Sequence, residues 1–213
     1  MIDDIYKELR HHAPFTIFGA ISGVIIMLLL KDLPQKLSYN AFYVFHPIHV
    51  LLSALATASM YEFHKCRIDR KKCNVFVLLL IGYFGSIGIA TLSDSLIPYF
   101  GEALLNMPRR HVHIGFIEEW WLVNPLAIVG IAIAYFRPNT KFSHYGHVLL
   151  STWASLFHVL MAGALSLGWL AYVTVFVFLF LAVWLPCCIS DIVFPLLFVK
   201  NKNNSHLHQE EDK

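Results

Sequence analysis

The sequence has too few charged residues for a soluble protein of its size. Only 14% of its 213 residues are Asp, Glu, Lys or Arg, whereas 57% are hydrophobic, and the mean hydropathy is +0.60. This composition cannot cover a globular core with a polar surface, so it predicts a chain that uses lipid as its solvent. The net charge of +2 is too small to indicate binding to nucleic acid, and we expect the lipid bilayer to be the main partner.

Motifs of soluble enzymes are missing as well. The chain has no glycine-rich nucleotide loop, no HExxH helix and no GxSxG turn. Its four cysteines do not form a disulfide framework, and we expect them to be reduced thiols. The segment KDLPQKLSYN after the first apolar run lacks a small-residue cleavage site, so we expect that run to be retained as a span.

Apolar runs of membrane-spanning length recur along the chain. They predict an all-α, polytopic membrane bundle of about six transmembrane helices, with a long polar loop or a re-entrant or interfacial element between helices 3 and 4. We expect residues 1–200 to form one transmembrane domain and residues 201–213 to form a disordered cytoplasmic tail. Residues 1–12 are expected to be an interfacial piece that ends before Pro14 opens the first span. The predicted spans are residues 15–30, 41–61, 75–97, 120–136, 145–167 and a broken run over 168–199.

Lysine and arginine are distributed unevenly between the two sides of this bundle. Twelve of the 16 lie at the N-terminus, after the second and fourth spans, and in the tail. The positive-inside rule therefore predicts that both termini are cytoplasmic.

Histidine is unusually abundant, with 12 residues in a chain that otherwise avoids charge. Ionisable side chains are costly in lipid and usually have a function there. His46 and His49 are three residues apart and share a helix face. Asp94 ends a series of small residues at four-residue steps, which favours close helix packing. That series is Gly82, Ser86, Ala90 and Asp94.

These residues predict a site for a divalent transition metal near the outer face. Imidazole and carboxylate ligands suit Zn, Fe, Mn or Ni better than Ca or Mg. The predicted ligands are His46, His49, Asp94, His111, His113, Glu118 and His158. His111 and His113 would lie on one side only if their segment is extended.

The fifth predicted span also carries a polar stripe on one face. His147 and His158 are about 16 Å apart along such a helix, too far to share one ion. A metal-ion transporter would therefore pass its ion along the stripe. The predicted transport path is Ser155, Ser151 and His147, with an exit past His144 and Asp191.

Three other functions remain open from the sequence. A membrane-embedded metalloenzyme would use Glu118 or Glu119 as a general base or a metal bridge. A b-type haem protein would use histidines from two spans, such as His49 and His158. In a purely structural or accessory subunit, the histidines would interact only with neighbouring residues of the chain. The sequence leaves the metal, the substrate and the oligomeric state undefined.

Overall fold

The computed structural model describes residues 2–30, 33–66, 74–138, 141–163, 168–188 and 194. Within these ranges the side chains of residues 2–9, 11, 12, 64, 141–144 and 188 are not described. The predicted exit residues, the His144 side chain and Asp191, therefore lie outside the described part, as does the predicted tail.

Helices make up the secondary structure, and no β-strand occurs in the part of the chain that the structure describes. This confirms the all-α prediction. Two π-helical turns, Glu62–Cys66 and Leu92–Leu96, extend α2 and join α3 to α4. The helices are α1 (Ile2–Leu29), α2 (Gln35–Tyr61), α3 (Val75–Thr91), α4 (Ile97–Leu104), α5 (Gly115–Glu118), α6 (Trp120–Phe136), α7 (Lys141–Met161) and α8 (Trp169–Cys188).

Three helical segments are long and apolar enough to cross a membrane: Gln35–Tyr61, Val75–Leu104 and Trp169–Cys187. Two shorter apolar helices, Ala13–Leu29 and Trp120–Phe136, accompany them. Large apolar side chains such as Phe18 and Leu170 point away from the bundle, as lipid contact requires. The described helices thus support a membrane protein, while the count of six spans and the orientation stay predictions.

Two helix boundaries differ from the predictions. The first helix starts at Ile2 and continues through Pro14, so Pro14 does not open a new helix as predicted, while the interfacial position of the first residues stays a prediction. A proline removes one backbone hydrogen bond, and the remaining bonds of this 28-residue helix keep it continuous. The third span also continues beyond Ile97 to Leu104. Pro98 falls in the first turn of α4, directly after the π-helical turn, where a missing N–H is tolerated.

The cysteines also differ in part from the prediction. Cys187 is a buried, reduced thiol, but Cys66 is disulfide-bonded. The expectation of four reduced thiols is therefore wrong for Cys66.

Helix α2 is the centre of the bundle, because α3, α6 and α7 all pack against it. Small residues bring these helices close: a Cβ placed on Gly130 of α6 would lie 2.4 Å from the Leu51 carbonyl oxygen of α2. Helix α1 packs against α7 and α8, where Gly19 contacts Thr152. Because neighbours surround α2, its polar face is turned into the protein rather than toward lipid.

Candidate metal centre

The polar face of α2 supplies two imidazoles to the interior. His46, His49, Ser53 and Thr57 follow each other at steps of three, four and four residues, and each is at most 1% exposed. These spacings keep the four side chains on one side of the helix. The sequence prediction that His46 and His49 share a face is consistent with this arrangement.

Asp94 reaches the same interior from the π-helical turn Leu92–Leu96. The small residues before it, Gly82, Ser86 and Ala90, are all buried, and Gly82 leaves no room for a side chain beside Ile131 and Ala58. Turns of this kind are frequent at functional sites because the extra residue re-aims a side chain. Here the turn places the carboxylate, which is 0% exposed, opposite the α2 histidines.

One carboxylate holds both imidazoles. The Nδ1 atoms of His46 and His49 lie 2.9 and 2.7 Å from the same oxygen, Oδ2 of Asp94. The other oxygen accepts hydrogen bonds of 2.7 Å from the hydroxyls of Ser93 and Ser151. Because an ionised carboxylate can only accept, each imidazole donates its Nδ1–H, which leaves the lone pair on Nε2.

The two Nε2 atoms of this triad, which we define as His46, His49 and Asp94, point away from the shared carboxylate oxygen. Nε2 of His49 is buried and has no hydrogen-bond partner among the described residues. Nε2 of His46 faces the backbone of Gly115, where a Cβ would come within 2.4 Å. The His49 ring also stacks on His147, with centroids 5.8 Å apart.

The triad suits a transition metal chemically. Its ligand atoms lie within 4.8 Å of one another, a span that one ion can bridge. The present Nδ1 to Oδ2 distances are those of hydrogen bonds, since atoms around one tetrahedral ion are about 3.3 Å apart. In the structure the carboxylate orients both rings through their Nδ1 atoms. An ion that took the place of the two Nδ1 protons would need these three ligand atoms to lie several tenths of an ångström farther apart.

His158 does not join the triad, although the sequence analysis groups them. Its Nδ1 lies 2.6 Å from Oε1 of Glu102, and its Nε2 lies 3.4 Å from the hydroxyl of Ser95. Both ring nitrogens thus already face oxygen atoms, which disfavours His158 as a metal or haem ligand in this arrangement. The ring of Phe42 contacts both the His158 and the His46 rings.

The sequence analysis missed Glu102, which is 1% exposed on α4. A signal for it existed. The four-residue series that leads to Asp94 continues through Pro98 to Glu102, and both are buried. The predicted end of the third span at Ile97 leaves this continuation out.

The polar stripe of α7 lies along the π-helical turn. His147, Ser151, Ser155 and His158 are all at most 1% exposed. The Ser155 hydroxyl donates to the Ser93 carbonyl over 2.8 Å, and Ser151 donates to Asp94. The stripe thus continues the polar environment of the triad along the bundle.

A second group of possible ligands lies at the surface, in the segment between α4 and α6. His111, His113 and Glu118 place ligand atoms within 4.8 Å of one another. The backbone from Arg110 to Ile114 is not helical, which meets the condition set by the sequence, and the two rings are 4.9 Å apart. The structure therefore divides the predicted ligands into a buried triad, a surface group and the His158–Glu102 pair.

Glu118 is held in place by three donors. Its Oε2 accepts hydrogen bonds from the Tyr43 hydroxyl and from Nδ1 of His113, while Oε1 accepts from the Ile114 N–H. Partial burial raises the pKa of Glu118, but the hydrogen bonds from Tyr43 and His113 outweigh it and hold the pKa below its usual value. The carboxylate is therefore ionised at neutral pH.

Comparisons with protein-family models, curated proteins and solved structures give no match for this chain. The function of the chain is therefore inferred from the chemistry of its own residues.

Proposed function

We propose that the protein is a membrane transporter for a divalent transition metal ion, which binds at His46, His49 and Asp94. The observation that carries this proposal is a fully buried carboxylate bonded to two buried imidazoles. Burying such groups inside a membrane bundle is costly and is usually retained for function. An ion held by two neutral imidazoles beside an ionised carboxylate would offset that cost.

The ligand types narrow the choice of ion. Two imidazoles and a carboxylate suit Zn, Fe, Mn or Ni, whereas Ca and Mg prefer sites made of oxygen atoms. Neutral imidazole is the binding form, so protons compete with the ion for the histidines.

Transport is supported by polar side chains on both sides of the triad. Toward one end of the bundle, Ser95 and the His158–Glu102 pair follow Asp94. Toward the other end, His147 stacks on His49, and Ser53 lies buried one turn further along α2. A metal site with a purely structural role would not need polar side chains on both sides of it. Along this path the ion would pass Ser155, Ser151 and His147 before the predicted exit.

The transport proposal is tested by metal flux into liposomes that contain the purified protein and a trapped fluorescent indicator. We expect Zn²⁺ influx with the natural chain and a loss of at least about tenfold with His49→Ala, which removes a ligand. His158→Ala should also slow the flux. Ser86→Ala is the matched control, because its hydroxyl bonds to the Tyr83 carbonyl of the same helix. Absence of flux, or equal flux in His49→Ala, would contradict transport.

A membrane-embedded metal-dependent enzyme is the second candidate. It is favoured by Glu118, an ionised carboxylate that is fixed by Tyr43 and His113 near the surface and could act as a general base. An enzyme would bind the same metal without moving it across the bilayer. The liposome assay therefore separates the two candidates.

A further inference from the structure

The surface group His111, His113 and Glu118 has the properties of a metal site in its own right. It combines two imidazoles and a carboxylate, the same ligand types as the triad, with ligand atoms within 4.8 Å of one another. The side chains of His113 and Glu118 are 17% and 30% exposed, so an ion can reach them from water. His111 is exposed as well.

Neighbouring residues orient these ligands before any ion binds. Tyr43 of α2 and the Ile114 N–H hold the Glu118 carboxylate, and Nδ1 of His113 bonds to it over 3.1 Å. For His113 and Glu118 to bind one ion, the ring must carry its proton on Nε2, so that Nδ1 is the ligand atom. The Ser95 hydroxyl fixes the backbone carbonyl of His113. Such support reduces the entropy that ligands lose when an ion binds.

The surface group is separate from the buried triad. The triad residues are fully buried whereas the surface group is open to water, and the ring of Phe42 contacts both, with centroids 5.1 Å from the His46 ring and 6.2 Å from the His113 ring. The backbone of Gly115, in the same segment as the surface group, packs against Nε2 of His46. The two groups therefore contact the same short segment but hold their ligand atoms in different places.

We infer that His111, His113 and Glu118 form a second metal site, which captures a divalent transition metal ion from water. The capture role rests on the proposed transport function, whereas binding to this site does not. The ion enters the surface site first. The segment around Gly115 must then shift for the ion to reach His46.

Binding is tested by counting Zn²⁺ ions on the detergent-purified full chain by equilibrium dialysis. We expect two ions per chain, and one in the double variant His111→Ala/His113→Ala. Arg110→Ala is the control, since its guanidinium contacts Asn106 in the same exposed segment and offers no metal ligand. An unchanged count and affinity in the double variant would overturn the second site.

The same counts distinguish failure of this inference from failure of the proposed function. If the natural chain binds one ion and the double variant binds none, the surface site stands and the triad does not bind metal. If both bind one ion, the surface site is wrong. The capture role is tested by liposome flux: the double variant should need at least about tenfold more Zn²⁺ for half-maximal rate, with a similar maximal rate. An unchanged half-maximal concentration would overturn capture.

Discussion

Asp94 is the residue that defines the buried site. It accepts four hydrogen bonds, two from imidazoles and two from serine hydroxyls. An acceptor surrounded in this way stays ionised in an apolar interior and fixes both histidine rings. The removal of its charge should therefore disturb the orientation of both rings at once.

Replacement of Asp94 by asparagine keeps the size of the side chain and removes its charge. The amide nitrogen cannot accept hydrogen bonds, so at least one imidazole or serine loses its acceptor. We expect Zn²⁺ affinity of the buried site to fall by about 10- to 100-fold. The measurement is calorimetry in the His111→Ala/His113→Ala background, with Ser86→Ala as the control. An affinity within about twofold of that control would show that Asp94 does not support the site.

Gly115 provides a steric test of the His46 position. An alanine there would place its Cβ 2.4 Å from Nε2 of His46, so either the ring or the segment must move. We expect Gly115→Ala to lower Zn²⁺ affinity of the triad by at least about tenfold. Gly168→Ala is the matched control, because nothing lies within 4 Å of a Cβ at Gly168. Equal affinity in both variants would place the ion away from His46.

Glu118 gives a prediction about pH. Its pKa lies below the ordinary value of 4.5, so its hydrogen bonds stabilise the fold above that pH and the contribution is lost as the pH falls through the lowered pKa. Glu118→Gln should therefore lower the melting temperature slightly at pH 7 in the presence of EDTA. The effect is small because solvent screens an exposed carboxylate. The difference from the natural chain should shrink below about pH 4; a constant difference would contradict the assigned contacts.

The sequence predicts that His46, His49, Asp94 and His158 lie together. The first three do so in the structure, whereas His158 pairs with Glu102. His46 and His49 share a helix face by their spacing, and the small-residue series predicts that Asp94 approaches a neighbouring helix. The partner of His158 depends on a π-helical turn that adds a residue to one turn of helix. The four-residue series reaches Glu102 only if the third span continues past Ile97, so the predicted end at Ile97 excludes this partner of His158.

At the scale of elements, close packing of α2 with its neighbours buries the polar face of α2. Helices α3 and α6 approach α2 at glycines: a Cβ on Gly85 of α3 would lie 2.9 Å from the Thr57 side chain, and one on Gly130 of α6 would lie 2.4 Å from the Leu51 carbonyl oxygen. In lipid, such contacts supply much of the packing energy between helices. The buried clusters that α2 shares with its neighbours include small residues such as Ala54 and Ala127.

The contact between α6 and α2 can be tested at Gly130. A methyl group there would lie 2.4 Å from the Leu51 carbonyl oxygen, which is backbone and cannot rotate away. We expect Gly130→Ala to destabilise the protein by about 1–3 kcal/mol. Gly88→Ala, where nothing lies within 4 Å of a Cβ, should not destabilise it. Thermal unfolding in detergent measures both, and equal melting temperatures would contradict the packing of α6 on α2.

At the scale of the whole molecule, the described helices pack into a bundle. Large apolar side chains face outward, and the charged triad is buried inside. The apolar composition was enough to predict this class. Orientation is a separate matter, because two observations oppose each other. The basic residues around Cys66 favour the cytoplasm, whereas disulfides such as that of Cys66 are rare there.

We expect the charge rule to hold, with both termini cytoplasmic, because five of the eight residues from Lys65 to Lys72 are basic. An epitope tag after Lys213 should then be digested by protease in inverted vesicles and protected in right-side-out vesicles. The opposite protection pattern would reverse the bundle and place the surface group on the cytoplasmic side.

The central claim is that a metal ion binds to the buried imidazoles of α2. X-ray absorption at the zinc edge, measured on the His111→Ala/His113→Ala variant loaded with one equivalent of Zn²⁺, tests it most directly. The account predicts scattering from two imidazoles, with nitrogen atoms about 2.0–2.1 Å from the ion, and its loss when His49 is also replaced by alanine. A spectrum without imidazole scattering, or one that is unchanged by His49→Ala, would contradict the account.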